Sequence, residues 1–252
     1  MYDHQAKKLN EQGTFKEIVV EISARQLSAK SETLRQMSMF LTQAVFMEVC
    51  VHPKPGLVTR HGSGAHTDMS ILTFAAGSAV LAKAFSDLQI LGMKHNGNYQ
   101  ELFGKVRRYG VSAEQELLRV TKGVNTQRGI LFAGGLLAAA AGAAMNKGLD
   151  SKALCSIVAE MTQGLTENEL AGLQADRPLT AGERLYQAYG ITGIRGEVEA
   201  GFPSVRQNGL PGLKEAFAKG AGLNDALVHA LVHLMTVVQD SNVIWRGGYA
   251  KL

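Results

Sequence analysis

Along most of the chain apolar residues recur with the three-to-four-residue period of a helix, and the strict alternation of a half-buried strand is nearly absent. Segments rich in Ala, Leu and Met are separated by Gly-rich polar loops, a pattern that predicts an all-α, multi-helix bundle. Helices are expected over 14–30, 31–50, 69–90, 99–109, 112–122, 129–146, 150–164, 180–190, 210–219 and 223–239. Several ends carry local chemistry. Ser112 with Gln115 and Thr180 with Glu183 have capping-box spacing, and Asp150 and Asn224 are candidate N-caps. Gly110, Gly148 and Gly190 are candidate terminators. Segment 129–146 carries Gly134, Gly135, Gly142 and the run Ala138–Ala141, so its low side-chain bulk lets neighbouring helices approach closely. It belongs at the centre of the bundle.

Composition sharpens this picture. Of 252 residues 46% are hydrophobic and 19% charged, enough apolar material for a sizeable core and too little charge for disorder. No composition break divides the chain, which predicts a loose arm or extra helix over 1–30 and one all-helical domain over 31–252. The net charge of +4 comes from scattered Lys and Arg, which suits an anionic small molecule rather than nucleic acid. Cys50 and Cys155 sit in unrelated contexts, as expected of a reducing compartment. The polar start MYDHQAKKLNEQG lacks a signal-peptide apolar region. The apolar run Ile130–Met145 is short and rich in Gly and Ala, so it reads as a buried helix and not a membrane span. The expectation is a cytoplasmic protein with no membrane partner.

Four polar stretches carry candidate chemistry. In the first, Glu48 precedes HPKPGLVTRHGSGAHTDM, residues 52–69. The stripe Leu34, Leu41, Val45 brings Glu48 near an apolar face, where a carboxylate must be paired, metal-bound or protonated. The alternative is a Glu at a fraying helix end that reaches water. Lys54, Arg60, His61 and His66 supply donors, and Asp68 is either a metal ligand or the N-cap of the next helix. In the second, TKGVNTQRG (121–129) leads into the small-residue helix, so free backbone N–H groups and the helix dipole join Lys122 and Arg128 as an anion site. Asn125 and Thr126 lie in that turn; the competing reading is a plain polar linker. Glu114 is expected in the first turn of the 112–122 helix, a dipole-friendly surface position.

In the third stretch, GITGIRGE (190–197), glycines around Arg195 suggest backbone close to a ligand, and their spacing disfavours an ordinary helix. In the fourth, Asp240 and Asn242 offer hard oxygens that suit Mg2+ better than zinc. Asp240 is expected at a helix C-terminus, where a cation would relieve the dipole penalty, and Arg246 follows. His229 and His233 lie one turn apart and read as surface or packed residues in the absence of HExxH. No GxSxG or P-loop is present.

Taken in order, PKPGLVTR, GAHTDM, GVNTQRG, TAGERLY, GITGIRGEVEAGFP and DSNVIWRGG resemble the triphosphoribosyl-dephospho-CoA synthase family, over about Glu48 to Gly248. The resemblance implies a pentosyltransferase that moves the triphosphoribosyl group of ATP to the ribose 2′-hydroxyl of 3′-dephospho-CoA and releases adenine. The product is the prosthetic-group precursor of citrate lyase or malonate decarboxylase. Such glycosyl transfer needs a carboxylate near the anomeric carbon, a base for the attacking hydroxyl and cations for the triphosphate. On this reading Glu48, Asp68 and Asp240 bind Mg2+ or act as base and charge stabiliser. Lys54, Arg60, Arg128, Arg195 and Arg246 contact phosphates, with His66 and Thr126 alongside, and Asn125 and Asn242 orient sugar or metal-bound water. The family usually reads GVNTHKG, so Gln127 and Arg128 keep the charge but drop a titratable group, and Gln127 receives no proton-transfer role. The family also continues for several dozen residues past RGG, so the domain is expected to be shortened at its C-terminus. Small-residue helical faces make a homodimer a mild expectation. Competing readings are a nucleotide N-glycosidic hydrolase or transferase with another acceptor, and a non-catalytic nucleotide-binding protein.

Overall fold

A computed structural model describes residues 32–33, 36–171, 178–241, 244 and 248. The 1–30 arm, Asn242 and Arg246 therefore lie outside the described residues. Within them the chain is helical with no β-strand: α1 over 36–50, α2 Ile71–Met93, α3 Tyr99–Val120, α4 Arg128–Asn146, α5 Leu154–Met161, α6 Ala181–Tyr189, α7 Gly193–Glu199, α8 Leu210–Ala218 and α9 Leu223–Met235. A 3-10 turn Ser151–Ala153 leads into α5, and π-helical turns Glu167–Ala171 and Val205–Gly209 follow α5 and α7.

Helix α4 is the axis of the bundle, with Ala138 to Ala144 almost wholly buried. Its partner is α2. A Cβ on Gly92 would lie 1.9 Å from the Ala139 carbonyl oxygen, and one on Gly142 would lie 1.9 Å from that of Gln89. The backbones touch, which only glycine permits. Gly77 faces Gln127, Phe85 faces Gly134 and Gly92 faces Ala139, so the two helices run parallel. α3 returns between them, with Leu117 near its end against Gly77. The N-termini of α2 and α4 and the C-terminus of α3 thus share one end of the bundle. Leu81, Phe85 and Leu88 of α2, Leu102 and Leu117 of α3, and Val158 and Met161 of α5 fill the core around α4, and Val198 of α7 completes it. α2 and α4 are each long and apolar enough to cross a membrane, but 61% of the most apolar stretch of α4 is covered by the protein itself.

Local end signals hold where packing does not oppose them. Thr180 and Glu183 form the expected capping box, Asp150 accepts from the Lys152 amide, and Gly190 takes the left-handed conformation after α6. The Ser112–Gln115 box and the Gly110 stop do not form. α3 runs unbroken through them because Val106, Ala113 and Leu117 are buried on one continuous face, and Ser112 donates its hydroxyl back to the Tyr109 carbonyl. Glu114 therefore sits in mid-helix, not in a first turn. Gly193–Glu199 is a helix despite its glycines, since Val198 is buried against the core. Gly222, not Asn224, caps α9, and α9 ends at Met235, five residues before Asp240. The Asp240 carbonyl instead accepts from Ile244 at the start of a new turn, so no unfavourable helix dipole acts there.

Candidate active site

The loop into α2 and the turn into α4 lie at the shared end of the bundle. In the loop, Gly56 and Gly64 adopt left-handed φ values, and a Cβ on Gly64 would strike the Leu57 carbonyl at 2.5 Å. The bend closes through reciprocal backbone hydrogen bonds between Thr59 and Gly62. Lys54 turns inward and donates to the Glu48 carbonyl at 2.6 Å and its carboxylate at 2.7 Å, capping the end of α1. Only 5% of the Lys54 side chain is exposed, against 54% of Glu48. Glu48 is thus paired and reaches water; the expectation of a carboxylate on an apolar face is corrected, because Val45 and Val49 take the buried positions. Arg60 donates to the Cys50 carbonyl and to Asn224 Oδ1, and Asn224 also bonds both the backbone N–H and carbonyl of His52. That bridge fastens the loop to the start of α9. His66 is nearly buried, with Nδ1 3.6 Å from Asp68, whose side chain is 58% exposed.

In the turn before α4, Lys122 and Gly123 have positive φ, and Thr121 ties the turn by donating to the carbonyls of Leu117 and Val124. Asn125 is exposed. The Thr126 hydroxyl is buried and has no hydrogen-bond partner among the described residues. Gln127 is buried against α2, donating to Ser78 Oγ. No side chain caps α4, which leaves the first-turn N–H groups of Arg128 and Gly129 facing outward as a partial positive charge.

Beside this N-terminus opens a cleft of about 400 Å³ between α3, the first turns of α4, α7 and the turn Glu167–Ala171. Arg107, Arg128 and Arg195 enter it with Glu114 and Glu169. Arg128 pairs with Glu114 at 2.6 Å, and Glu169 holds Arg107 and Arg195, one on each oxygen, both at 2.6 Å. Three cations against two anions, next to an uncapped helix start, leave the cleft positive. Its apolar wall comes from Leu88, Val106, Leu131, Phe132 and Ile194. Such a mixture suits a ligand with both phosphates and an aromatic or aliphatic part.

α7 also fixes the position of Glu169. Glu199, at its end, accepts from the amides of Gly164 and Thr166 and from the Thr166 hydroxyl, anchoring the segment that leads to Glu169. Burial pushes the Glu199 carboxyl up, but these hydrogen bonds together outweigh it and hold it below the usual carboxylate range.

Of the sequence-derived candidates, the cleft brings together Arg128 and Arg195, from stretches far apart in the chain. Lys54, Arg60, His66, Asp68 and Glu48 group in the loop region. Glu48, Asp68 and Asp240 do not form a cluster: among the described residues, the one group of three or more metal-capable side chains with donor atoms mutually within 4.8 Å is Glu215, His229 and His233. Arg107 and Glu169 were not legible in the sequence. Arg107 lies in a regular amphipathic helix and Glu169 in a π-helical turn, and neither position carries a local signal.

A family model described as ATP:dephospho-CoA triphosphoribosyl transferase matches residues 34–252. A Malonomonas rubra protein named probable 2-(5''-triphosphoribosyl)-3'-dephosphocoenzyme-A synthase is 40% identical over 221 residues, covering 86% of this chain and 70% of the relative. The 2-(5''-triphosphoribosyl)-3'-dephosphocoenzyme-A synthases of Pectobacterium atrosepticum and Klebsiella pneumoniae are 39% and 36% identical. They cover 86% and 91% of this chain, and 72% and 76% of their own lengths. No solved structure matches the chain at a significant level.

Proposed function

The chain belongs to the ATP:dephospho-CoA triphosphoribosyl transferase family, and from that membership we infer that it transfers the triphosphoribosyl group of ATP to 3′-dephospho-CoA. The observation in the chain that best supports this reading is the cleft where Arg107, Arg128 and Arg195 meet the uncapped start of α4. Both substrates are phosphate esters with adenine rings, and the cleft offers fork-shaped cations beside apolar surface. A guanidinium has five N–H donors, so pairing with one carboxylate oxygen leaves donors for phosphate. Glu114 and Glu169 keep the guanidinium groups aimed before substrate arrives.

The reaction breaks the bond from the ribose anomeric carbon to adenine and forms one to the acceptor's 2′-oxygen. The hydroxyl proton passes to a base, adenine leaves with a proton, and positive charge develops on the sugar. Asp68 suits the base better than Glu48, whose carboxylate is taken by Lys54. Mg2+ is commonly held by one or two carboxylates together with substrate phosphates and water, so it does not require the three-carboxylate cluster that Glu48, Asp68 and Asp240 do not make. With Asp68 as the base, Glu48, which is 54% exposed and meets Lys54 through Oε1, would hold the ion, and the ion would supply neutralisation of triphosphate charge. Thr126, with its unpartnered hydroxyl, and Asn125 are available to the sugar or phosphates at the start of α4.

The test is adenine release by the purified chain with Mg-ATP, with and without 3′-dephospho-CoA. Adenine that appears only with the acceptor, together with a product heavier by one triphosphoribosyl unit, is the expected result. Adenine formed equally without acceptor would replace the transferase with a hydrolase.

A further inference from the structure

Outside the arginine cleft, the α8–α9 hairpin carries a separate cluster of ionisable side chains. His229 and His233 are four residues apart on α9, which puts both rings on one face. Their Nε2 atoms lie 3.1 Å apart, with the rings tilted at 54°. Glu215 of α8 points its Oε2 at both, 3.7 Å from His229 Nε2 and 3.9 Å from His233 Nε2. We propose that Glu215, His229 and His233 bind one divalent transition-metal ion, zinc by preference, that clips α8 to α9.

The spacing fits a metal. With Zn–N bonds of about 2.05 Å, two nitrogens 3.1 Å apart subtend an angle of roughly 100° at the ion, near tetrahedral. Glu215 needs to move inward by roughly half an ångström to bring its oxygen into a normal coordination sphere, a small rotation for a side chain that is 45% exposed. Lys219 takes the other carboxylate oxygen, Oε1, and so orients Oε2 toward the imidazoles. Packing fixes one ligand further: a Cβ on Gly212 would lie 2.7 Å from Cγ of His233, so α8 seats that ring closely. Both imidazoles remain about one-third exposed, leaving a fourth position for water.

Two imidazole nitrogens and a single carboxylate favour zinc, cobalt or nickel over Mg2+, which takes oxygen ligands. This site is therefore chemically distinct from the magnesium-triphosphate chemistry of the proposed reaction, and none of its residues lines the cleft. The rival arrangement is an imidazole–imidazole hydrogen bond beside the carboxylate, with no affinity for metal.

Cobalt(II) is a direct probe, because ligation by nitrogen in a tetrahedral site gives visible absorption bands. The chelator-stripped full chain should bind one Co2+ per molecule, and Zn2+ should displace it. His229→Gln and His233→Gln should each weaken Co2+ binding at least about tenfold, while Cys50→Ser, which removes a thiol that is not part of the cluster, should leave it unchanged. Zn2+ should also raise the Tm of the parent chain and not that of the His229→Gln/His233→Gln double variant. Circular dichroism of each variant checks that it folds. Equal Co2+ affinity in parent and double variant, or no Co2+ bands in the parent chain, would overturn the site.

Discussion

Replacing Gly142 by Ala should unfold the bundle at a lower temperature, although alanine is the better helix former. The added Cβ would sit 1.9 Å from the Gln89 carbonyl oxygen and 2.7 Å from the Met93 nitrogen, both backbone atoms of α2. Real Cβ contacts essentially never fall below 3.0 Å, so the helices must part by roughly 1 Å. A gap of that size forfeits about a quarter to a half of the dispersion energy along the contact, where Phe85 and Leu88 press against Gly134 and Gly135. Overpacking costs typically about 1–3 kcal/mol, and a rigid backbone neighbour puts this site at the upper end. The propensity gain of about 1 kcal/mol offsets part of it. The net loss is about 2 kcal/mol, or a fall in Tm of about 4–8 °C for a chain of this size. Gly104→Ala is the internal control. It is also mid-helix, but its nearest new neighbour is the Arg108 Nη1 atom at 3.8 Å. Only the propensity term acts there, so Tm should rise by about 1–4 °C. Urea denaturation and calorimetry on both variants give the two signs. A Gly142→Ala protein as stable as the parent would refute the close α2–α4 contact and the parallel register built on it.

Arg128→Ala and Arg195→Ala should each raise KM for ATP or dephospho-CoA roughly ten- to a hundredfold, since a charge-assisted hydrogen bond contributes about 1.5–3 kcal/mol; unchanged KM in steady-state assays would remove the cleft from substrate binding. Arg195→Lys keeps the charge but loses the fork, and should recover only part of the affinity. Asp68→Asn should lower kcat at least about a hundredfold with little change in KM if Asp68 is the base, and a normal kcat would exclude that role. The Glu199 carboxyl is held below its usual range in the folded chain, so its stabilising contribution is fully present above the ordinary Glu value of about 4.3 and is lost as pH falls through the lowered folded value. Glu199→Gln should therefore be less stable at neutral pH and lose less further stability between about pH 5 and pH 3; parallel acid limbs in denaturant titrations would contradict this.

Much was legible locally. Thr180 and Glu183 need only a three-residue separation to cap each other, and Asp150 and Gly190 act on their own neighbouring backbone. Such signals survive folding because both partners travel on the same segment. The linked motifs similarly carried the family resemblance, and the start of α4 directly after the 121–127 turn was readable because a helix start is a property of one junction. Local reading misled where a long-range apolar face had a say. Gly110, Ser112 and Gln115 looked like a stop and a start, yet one buried stripe from Leu102 to Leu117 carries α3 straight through. Glu114 consequently moved from an expected first turn to mid-helix, at the wall of the cleft, where it pairs with Arg128.

The sequence by itself determined that the chain is helical, where its small-residue core helix runs, and which polar segments carry charge next to glycine-rich turns. All of these depend on residues within a few positions of each other. Only the tertiary structure decided that α2 and α4 run parallel, because that depends on glycines far apart in the chain meeting backbone to backbone. Tertiary contacts alone also joined Arg107 of α3 and Arg195 of α7 through Glu169, and set Glu215 beside His229 and His233. The physical reason is one of range. Propensity and capping act along the chain, whereas a charge cluster is defined by distance in space, and only a folded backbone fixes that distance.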